Sequence, residues 1–296
     1  MNIKHEDILK KYLLDDIGFG DITTESLIDR DLRIDGEIKC HEEAVIAGLE
    51  EANLLYKSLN CEVEFIFKDG DKVKPNDVIM NVSGYATDIL VGERTILNII
   101  GRMSGIATLT KNYVDRVRNV NQKVIIAATR KTVPGFNIFD KKAVMIGGGD
   151  THRFRLDDMI LIKDNHIVLL GSITEAIKTI KNKISFTKKI EIEVESVENA
   201  YEAIDCGADI IMLDNMIIQD VAKIIEYLKT KNMRQNIMLE VSGGITKNNI
   251  IDYAKTGIDI ISLGELTHSV KSIDVSLTLQ EKDKHCLLYT SDAADE

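Results

Sequence analysis

The stretch KIEIEVESVENAYEAIDCGADIIMLDN, residues 189–215, decides the fold. An apolar run, KIEIEV (189–194), leads into SVENAYEAIDCG, an amphipathic segment of helical length, and the chain then returns to a second apolar run, DIIML (209–213). Strand, helix, strand is the unit that builds two parallel neighbours. The rhythm extends on both sides: VIIAAT (124–129) and MILI (159–162) come before, IMLEV (237–241) and DIISL (259–263) after. SITEAIKTIKNK, QDVAKIIEYLKTK and TKNNIIDYAKTG supply further helices between them. Near-continuous apolar strands are buried on both faces, as in a parallel sheet covered by helices.

Every run ends in polar residues. Arg130-Lys131, Lys163-Asp164-Asn165-His166, Glu193 and Glu195, Asp214-Asn215, Ser242-Gly243-Gly244 and Gly264-Glu265 all stand at or just past a predicted C-terminal strand end. A (β/α) barrel gathers its chemistry there. A doubly wound sheet also uses strand ends, but at one switch point rather than around a ring. Six contributing strands favour the barrel and fall short of the eight that close one.

The first hundred residues follow another pattern. LRIDGEIKCHEEAVIAG and CEVEFIFKDGDKVKPNDVIMNVSGYATDIL predict short strands broken by Gly, Asp-Gly and Pro-Asn turns, with EEANLLYKSL a helix between them. ILVGERTILNIIGRMSGIATLTKNYVDRVR has apolar residues at helical spacing and predicts long helices interrupted at glycine.

Composition bounds the function. The 296 residues are 44% hydrophobic and 29% charged, which supports a buried core and excludes wholesale disorder. A net charge of −11 without a basic stripe argues against nucleic acid as partner. No apolar run approaches the roughly 20 residues of a membrane span. The charged N-terminus, MNIKHEDILKKYLLDDIG, is not a secretory leader, so a cytoplasmic location is expected. Cys40, Cys61, Cys206 and Cys286 form no CxxC pair, giving neither a disulfide framework nor a zinc set. EKDKHCLLYTSDAADE (281–296) has no periodicity and reads as translated adaptor sequence, so it is set apart as a non-native tail, with His285 and Cys286 in it.

Three chemistries follow from the clusters. Arg130, Lys131, His152, Arg153 and Lys163 predict an anion pocket: Arg fits a carboxylate or phosphate through paired hydrogen bonds, and Lys adds a point charge. Glu193 and Asp214, one strand–helix–strand unit apart, suit Mg²⁺ or the hydroxyls of a ribose. Period-2 alternation puts Glu191 and Glu195 on the same side as Glu193. Ser242-Gly243-Gly244 and Gly264-Glu265 close successive strands and predict a phosphate cradle, which barrels often build from their last loops. There is no HExxH, no GxSxG and no covalent nucleophile.

Ordered blocks then carry a resemblance. DDIGFGDITT (15–24), GERTILNIIGRMSGIAT (92–108), TRKTVPG (129–135), GGGDTHRFRLDDMILIKDNHI (147–167), EIEVES (191–196), IMLDN (211–215), LEVSGGIT (239–246) and ISLGELTHS (261–269) resemble the quinolinate phosphoribosyltransferase family in its own order, over about residues 5–280. The family has Asn where Thr151 stands before His152-Arg153.

The resemblance implies an N-terminal α+β domain with a barrel-sandwich-like sheet (1–107). It implies an incomplete, TIM-like parallel α/β barrel of six or seven strands (108–266), and a C-terminal return onto the first domain (267–280). It implies quinolinate held by Arg94, Thr129, Arg130, Lys131, His152, Arg153 and Lys163. Phosphoribosyl pyrophosphate would lie with its ribose and Mg²⁺, bound directly or indirectly, at Glu193 and Asp214, and its 5′-phosphate at Ser242, Gly243, Gly244, Gly264 and Glu265. Lys131, Glu193 and Asp214 would be the catalytic set. It also implies a homodimer, with higher assembly left open, in which Arg94 reaches the partner's pocket.

Two rivals remain in view. A relative associated with molybdate-transport operons shares the fold and would use a different acceptor. KDGDKVKPNDVIMNVSG (68–84) resembles a biotinyl or lipoyl hammerhead, but the following NVSGYATDI lacks the lysine that such a carrier modifies.

Overall fold

The computed structural model describes residues 3–280, and the reading of 281–296 as a tail falls outside them. In chain order the elements are α1 (Ile3–Ile17), α2 (Ile22–Leu27), β1 (Arg33–Cys40), β2 (Ala44–Val45), α3 (Leu49–Ser58), β3 (Glu62–Phe65), β4 (Lys72–Val73), β5 (Asp77–Tyr85) and α4 (Ala86–Arg118). There follow β6 (Ile125–Ala127), α5 (Asn137–Ile146), β7 (Ile160–Ile162), α6 (Asp164–Leu170), α7 (Ile173–Lys181), β8 (Ile190–Val194), α8 (Val197–Asp205) and β9 (Ile210–Asp214). The chain closes with α9 (Ile218–Thr230), β10 (Met238–Ser242), α10 (Ile250–Lys255), β11 (Ile260–Ser262), α11 (Glu265–His268) and β12 (Val275–Leu279). It forms two compact units, one holding the N-terminal residues to Ala44, Gly48–Gly101 and the chain from Ile273, the other Val45–Ala47 and Arg102–Ser272.

The first unit contains a four-stranded antiparallel sheet ordered β12-β1-β5-β3. β12 thus returns from the C-terminal end to lie beside β1, with Leu277 opposite Ile38. Alternation fixes the register: Ile34, Ile38 and Cys40 are buried on β1, and a one-residue slip would turn them to solvent. Leu9 and Leu13 of α1 and Leu55 and Tyr56 of α3 complete this core. β5 is a central strand paired on both sides.

The second unit realises the strand–helix rhythm. Its six parallel strands run β6-β11-β10-β9-β8-β7, so β6 and β7 are edges that share no ladder. Asp150 makes a single parallel bridge to Ala127 and occupies a seventh position beside β6. The sheet is therefore an incomplete barrel. Its covering helices bury the predicted stripes: Ile173, Ala176 and Ile177 on α7, Ala200, Ala203 and Ile204 on α8, and Val221, Ile224, Ile225 and Leu228 on α9. Ser172 and Ser196 cap α7 and α8 by accepting from the amides of Glu175 and Asn199 at 3.1 Å. Two strands begin with the same latch. Asp209 accepts from the amide of Ile190 and Asp259 from that of Leu239, each at 2.8 Å, tying neighbouring strands at their N-terminal ends.

One expectation fails. α4 is a single helix of 33 residues, unbroken by Gly92, Gly101 or Gly105. These glycines permit close packing rather than turns: a Cβ on Gly92 would meet Leu59 Cδ1 at 2.8 Å, and one on Gly105 would collide with the carbonyl of Lys271.

Candidate active site

A cavity of about 340 Å³ opens at the C-terminal strand ends of the second unit. Thr129, Arg130 and Lys131 reach it after β6, and Lys163 after β7. Glu193 faces it from β8, Asp214 from the end of β9 and Ser242 from the end of β10. Parallel register sets Ser242 directly against Asp214. His152 and Arg153 enter from the turn that follows α5 and Gly147-Gly148-Gly149.

The remaining predicted residues stand elsewhere. Gly243 (φ +79°) and Gly244 (φ +64°) continue from Ser242 in left-handed conformations, and a side chain on Gly243 would collide with that of Asn215. A Cβ on Gly264 would lie 3.1 Å from Lys131 Cδ, so this glycine lets Lys131 pass. Glu265 accepts a hydrogen bond from the Tyr113 hydroxyl and does not line the cavity. Arg94 belongs to the first unit, its side chain is 66% exposed, and its nearest carboxylate is Glu93 at 3.9 Å.

The cavity walls differ in charge. Arg153 is only 8% exposed, yet its guanidinium makes no hydrogen bond or ion pair among the described residues. Burial, and then the nearby Arg130, lower its pKa against the opposing pull of Glu191, Glu193 and Asp158. The side chains of Arg130 and Lys131 likewise form no ion pair among the described residues. A buried, unpaired cation is costly unless an anion joins it. On the other wall, Lys163 is ion-paired with Glu193. Burial and the charges of Glu193 and Glu195 raise the Asp214 pKa, while Lys163 and Lys131 oppose the rise.

His152 lines the cavity, but both its ring nitrogens are engaged inside the protein. Nδ1 accepts from the amide of Arg153 at 2.8 Å. Nε2 lies 3.3 Å from a carboxylate oxygen of Glu191 and 3.3 Å from one of Glu240, two fully buried side chains. Burial disfavours charge on the imidazole, and the two carboxylates more than reverse that, holding a proton at Nε2; burial raises Glu191. The three groups have metal-ligand spacing, within 4.8 Å of one another. A charged ring carries N–H at both nitrogens and gives up the bond from the Arg153 amide; while that bond stands, the ring proton sits at Nε2 facing both carboxylates at ion-pair distance, so Nε2 is not free to bind a metal. A direct bond from His152 to an acceptor carboxylate requires one of these nitrogens to be released.

Sequence reasoning missed part of the cavity lining and the bonds behind it. Glu191 was placed by alternation, but its partner Glu240 was hidden inside IMLEV, and Ser262, which donates to Glu240 at 2.5 Å, inside DIISL. Arg102 holds the buried Asp140 through two bonds of 2.8 and 2.9 Å and donates to the carbonyl of Thr267, whose hydroxyl donates to the carbonyl of Lys131 at 2.8 Å. This chain fixes the backbone of Lys131, and only a polar residue inside an apolar helical stripe could have flagged it.

Residues 21–104 match the family model described as quinolinate phosphoribosyl transferase, N-terminal domain, and residues 106–278 match the C-terminal domain of the same family. The chain is 46% identical over 274 residues to a Methanothermobacter thermautotrophicus protein named "Probable nicotinate-nucleotide pyrophosphorylase [carboxylating]", covering 93% of this chain and 98% of that one. It is 39% identical to the Dictyostelium discoideum nicotinate-nucleotide pyrophosphorylase [carboxylating], covering 94% and 97%. The solved nicotinate-nucleotide pyrophosphorylase of Francisella tularensis superposes with a TM-score of 0.85 at 37% identity, covering 93% and 97%. With both halves matched, in order, the chain belongs to the quinolinate phosphoribosyltransferase family.

Proposed function

We propose that this chain transfers the phosphoribosyl group of phosphoribosyl pyrophosphate to quinolinate with decarboxylation, giving nicotinate mononucleotide, pyrophosphate and CO₂, a step of NAD biosynthesis in the cytoplasm. The observation that carries this reading is the pairing of walls in one cavity: unpaired Arg130 and Arg153 on one side, Glu193 and Asp214 on the other. A dianionic acceptor satisfies the first wall and an electron-poor sugar the second.

The cationic wall orients the acceptor so that its ring nitrogen faces the ribose. The nitrogen attacks the anomeric carbon as its bond to pyrophosphate oxygen breaks. Glu193 and Asp214 stabilise the positive charge that develops on the ribose, and Ser242 lies beside them for the sugar or its phosphate. The ring 2-carboxylate then leaves as CO₂. Its electron pair stays on carbon next to the cationic nitrogen and takes a proton. Lys131 stands between the two walls, where negative charge gathers in both substrates. Burial, and then the neighbouring Glu193 and Glu195, raise Asp214; carboxylate crowding of this kind is what a divalent cation relieves, and the hard oxygen donors of Glu193 and Asp214 fit Mg²⁺. Bound there, Mg²⁺ offsets the charge of the leaving pyrophosphate.

Arg94 has a place in this scheme if two chains associate, since an exposed, weakly paired arginine outside the barrel can complete the cationic wall of a partner. The molybdate-operon alternative is not favoured by the names of the relatives. The deciding experiment supplies phosphoribosyl pyrophosphate with carboxyl-labelled quinolinate and measures released CO₂. Release in step with pyrophosphate is expected; pyrophosphate formation only with another acceptor would overturn the assignment.

A further inference from the structure

Lys141 is a buried ammonium with no carboxylate at ion-pair distance among the described residues. It sits on α5, 1% exposed, and ranks among the largest fully buried side chains. Its Nζ donates to two backbone carbonyls, those of Thr151 and Arg153, the latter at 3.4 Å. These carbonyls flank His152, which adopts φ +51°, a left-handed conformation that a residue with a Cβ rarely takes.

The rest of the turn is bonded to the same end. The His152 amide donates to Asp150 Oδ1 at 2.7 Å, the Thr151 hydroxyl to the His152 carbonyl at 2.9 Å, and the Arg153 amide to His152 Nδ1 at 2.8 Å. Burying an ammonium opposes folding: burial lowers the Lys141 pKa to about 8, Asp150 acts in the opposite sense, and Arg130 adds to the lowering. An apolar side chain of similar length would fill the same volume without that penalty. What it could not do is hold two carbonyls that otherwise point into the protein without a donor.

We propose that Lys141 is a positioning residue for the acceptor site, a buried clamp that fixes the left-handed turn at His152 and so sets the direction in which Arg153 enters the cavity. It touches no substrate and acts through Arg153. The inference rests on the acceptor reading given above for its kinetic consequence, but the turn-locking itself does not.

Two kinds of measurement separate these. Hydrogen exchange of the amides of residues 150–154 in the unliganded protein reads the lock alone. Lys141→Met is expected to raise exchange there at least tenfold while far-UV circular dichroism stays native. Calorimetric titration with quinolinate and steady-state kinetics read the consequence: quinolinate Kd and KM rise about tenfold, while the KM for phosphoribosyl pyrophosphate changes less than twofold. In an Arg153→Ala background the further substitution Lys141→Met leaves the quinolinate Kd unchanged, because the residue through which it acts is gone. If Lys141→Met does not fold, Lys141→Gln, which keeps a neutral donor, is read by the same measures. Unchanged exchange at 150–154, equal effects on both substrates, or full additivity with Arg153→Ala overturns the proposal. Altered exchange with no quinolinate binding even in the unsubstituted protein would leave the clamp standing and defeat the acceptor reading instead.

Discussion

Lys163 is ion-paired with Glu193 across the mouths of the adjacent strands β7 and β8, so the cationic and acidic walls of the cavity are joined at this point. Under the proposed function this ammonium would meet both the anionic acceptor and the carboxylate that faces the sugar. Glu193→Gln is expected to lower kcat by one to two orders of magnitude, from loss of about 1.5–3 kcal/mol of charge-assisted interaction. Because Lys163 is then released, the quinolinate KM should hold or fall. A rise in that KM with kcat unchanged would show that the pair serves binding alone.

Arg153 predicts a trade between stability and activity. The residue is largely buried and its guanidinium faces the cavity without an ion-pair partner among the described residues, so Arg153→Met is expected to raise the thermal midpoint by a few degrees, roughly 2–4 °C per kcal/mol relieved. The same change should weaken quinolinate roughly 10- to 100-fold. Calorimetry of the unliganded variant checks the first effect and steady-state kinetics the second. A fall in midpoint would mean that the charge is satisfied within the fold.

Lys141 makes stability depend on alkaline pH. Its folded pKa, lowered mainly by burial to about 8, lies below the unfolded 10.5. Between these values the unfolded chain binds more protons, so stability rises with pH across that window and is flat below it. The full span corresponds to about 3 kcal/mol. Urea melts at pH 7, 8, 9 and 10 should show the unsubstituted protein gaining on Lys141→Met as pH rises; a constant gap would refute the shifted titration.

Gly243 tests the phosphate cradle. Its φ of +79° and the side chain of Asn215 leave no room for a Cβ, so Gly243→Ala must displace Asn215, which donates to Asp214 at 2.8 Å. The KM for phosphoribosyl pyrophosphate should rise about tenfold, with that for quinolinate little changed. Equal changes in both would place the loop outside the sugar side.

Arg94→Ala is expected to abolish most turnover although the residue lies outside the barrel strands. Mixed with Arg153→Ala protein, it should regain about a quarter of normal activity, since half of randomly mixed pairs are mixed and each holds one intact site. No recovery would argue that each chain works alone.

Much of the barrel was legible because its strands are uniformly apolar and its helices carry apolar residues three and four apart. Residues 189–215 folded as read, and the cluster ends at 130, 163, 193, 214 and 242 meet in one cavity. What escaped was set by distant contacts. The glycines of α4 look like breaks locally but are packing points against Leu59 and Lys271. His152 and Arg153 look alike as a basic pair, yet one is spent on Glu191 and Glu240 while the other stays unpaired, and nothing near them in sequence distinguishes the two. Lys141 and Lys142 are adjacent, and only the fold says which is buried.

The unladdered edges of the barrel divide the site by stiffness. Glu193, Asp214 and Ser242 stand on three neighbouring strands bonded to one another, so their spacing cannot change without breaking backbone hydrogen bonds. Arg130 and Lys163 follow β6 and β7, which share no ladder with each other; only the bridge at Asp150 lines the outer side of β6, so fewer backbone bonds fix the distance between them. Under the proposed function the sugar would therefore meet a rigid gauge, while the aromatic acid would be held by a less firmly braced jaw.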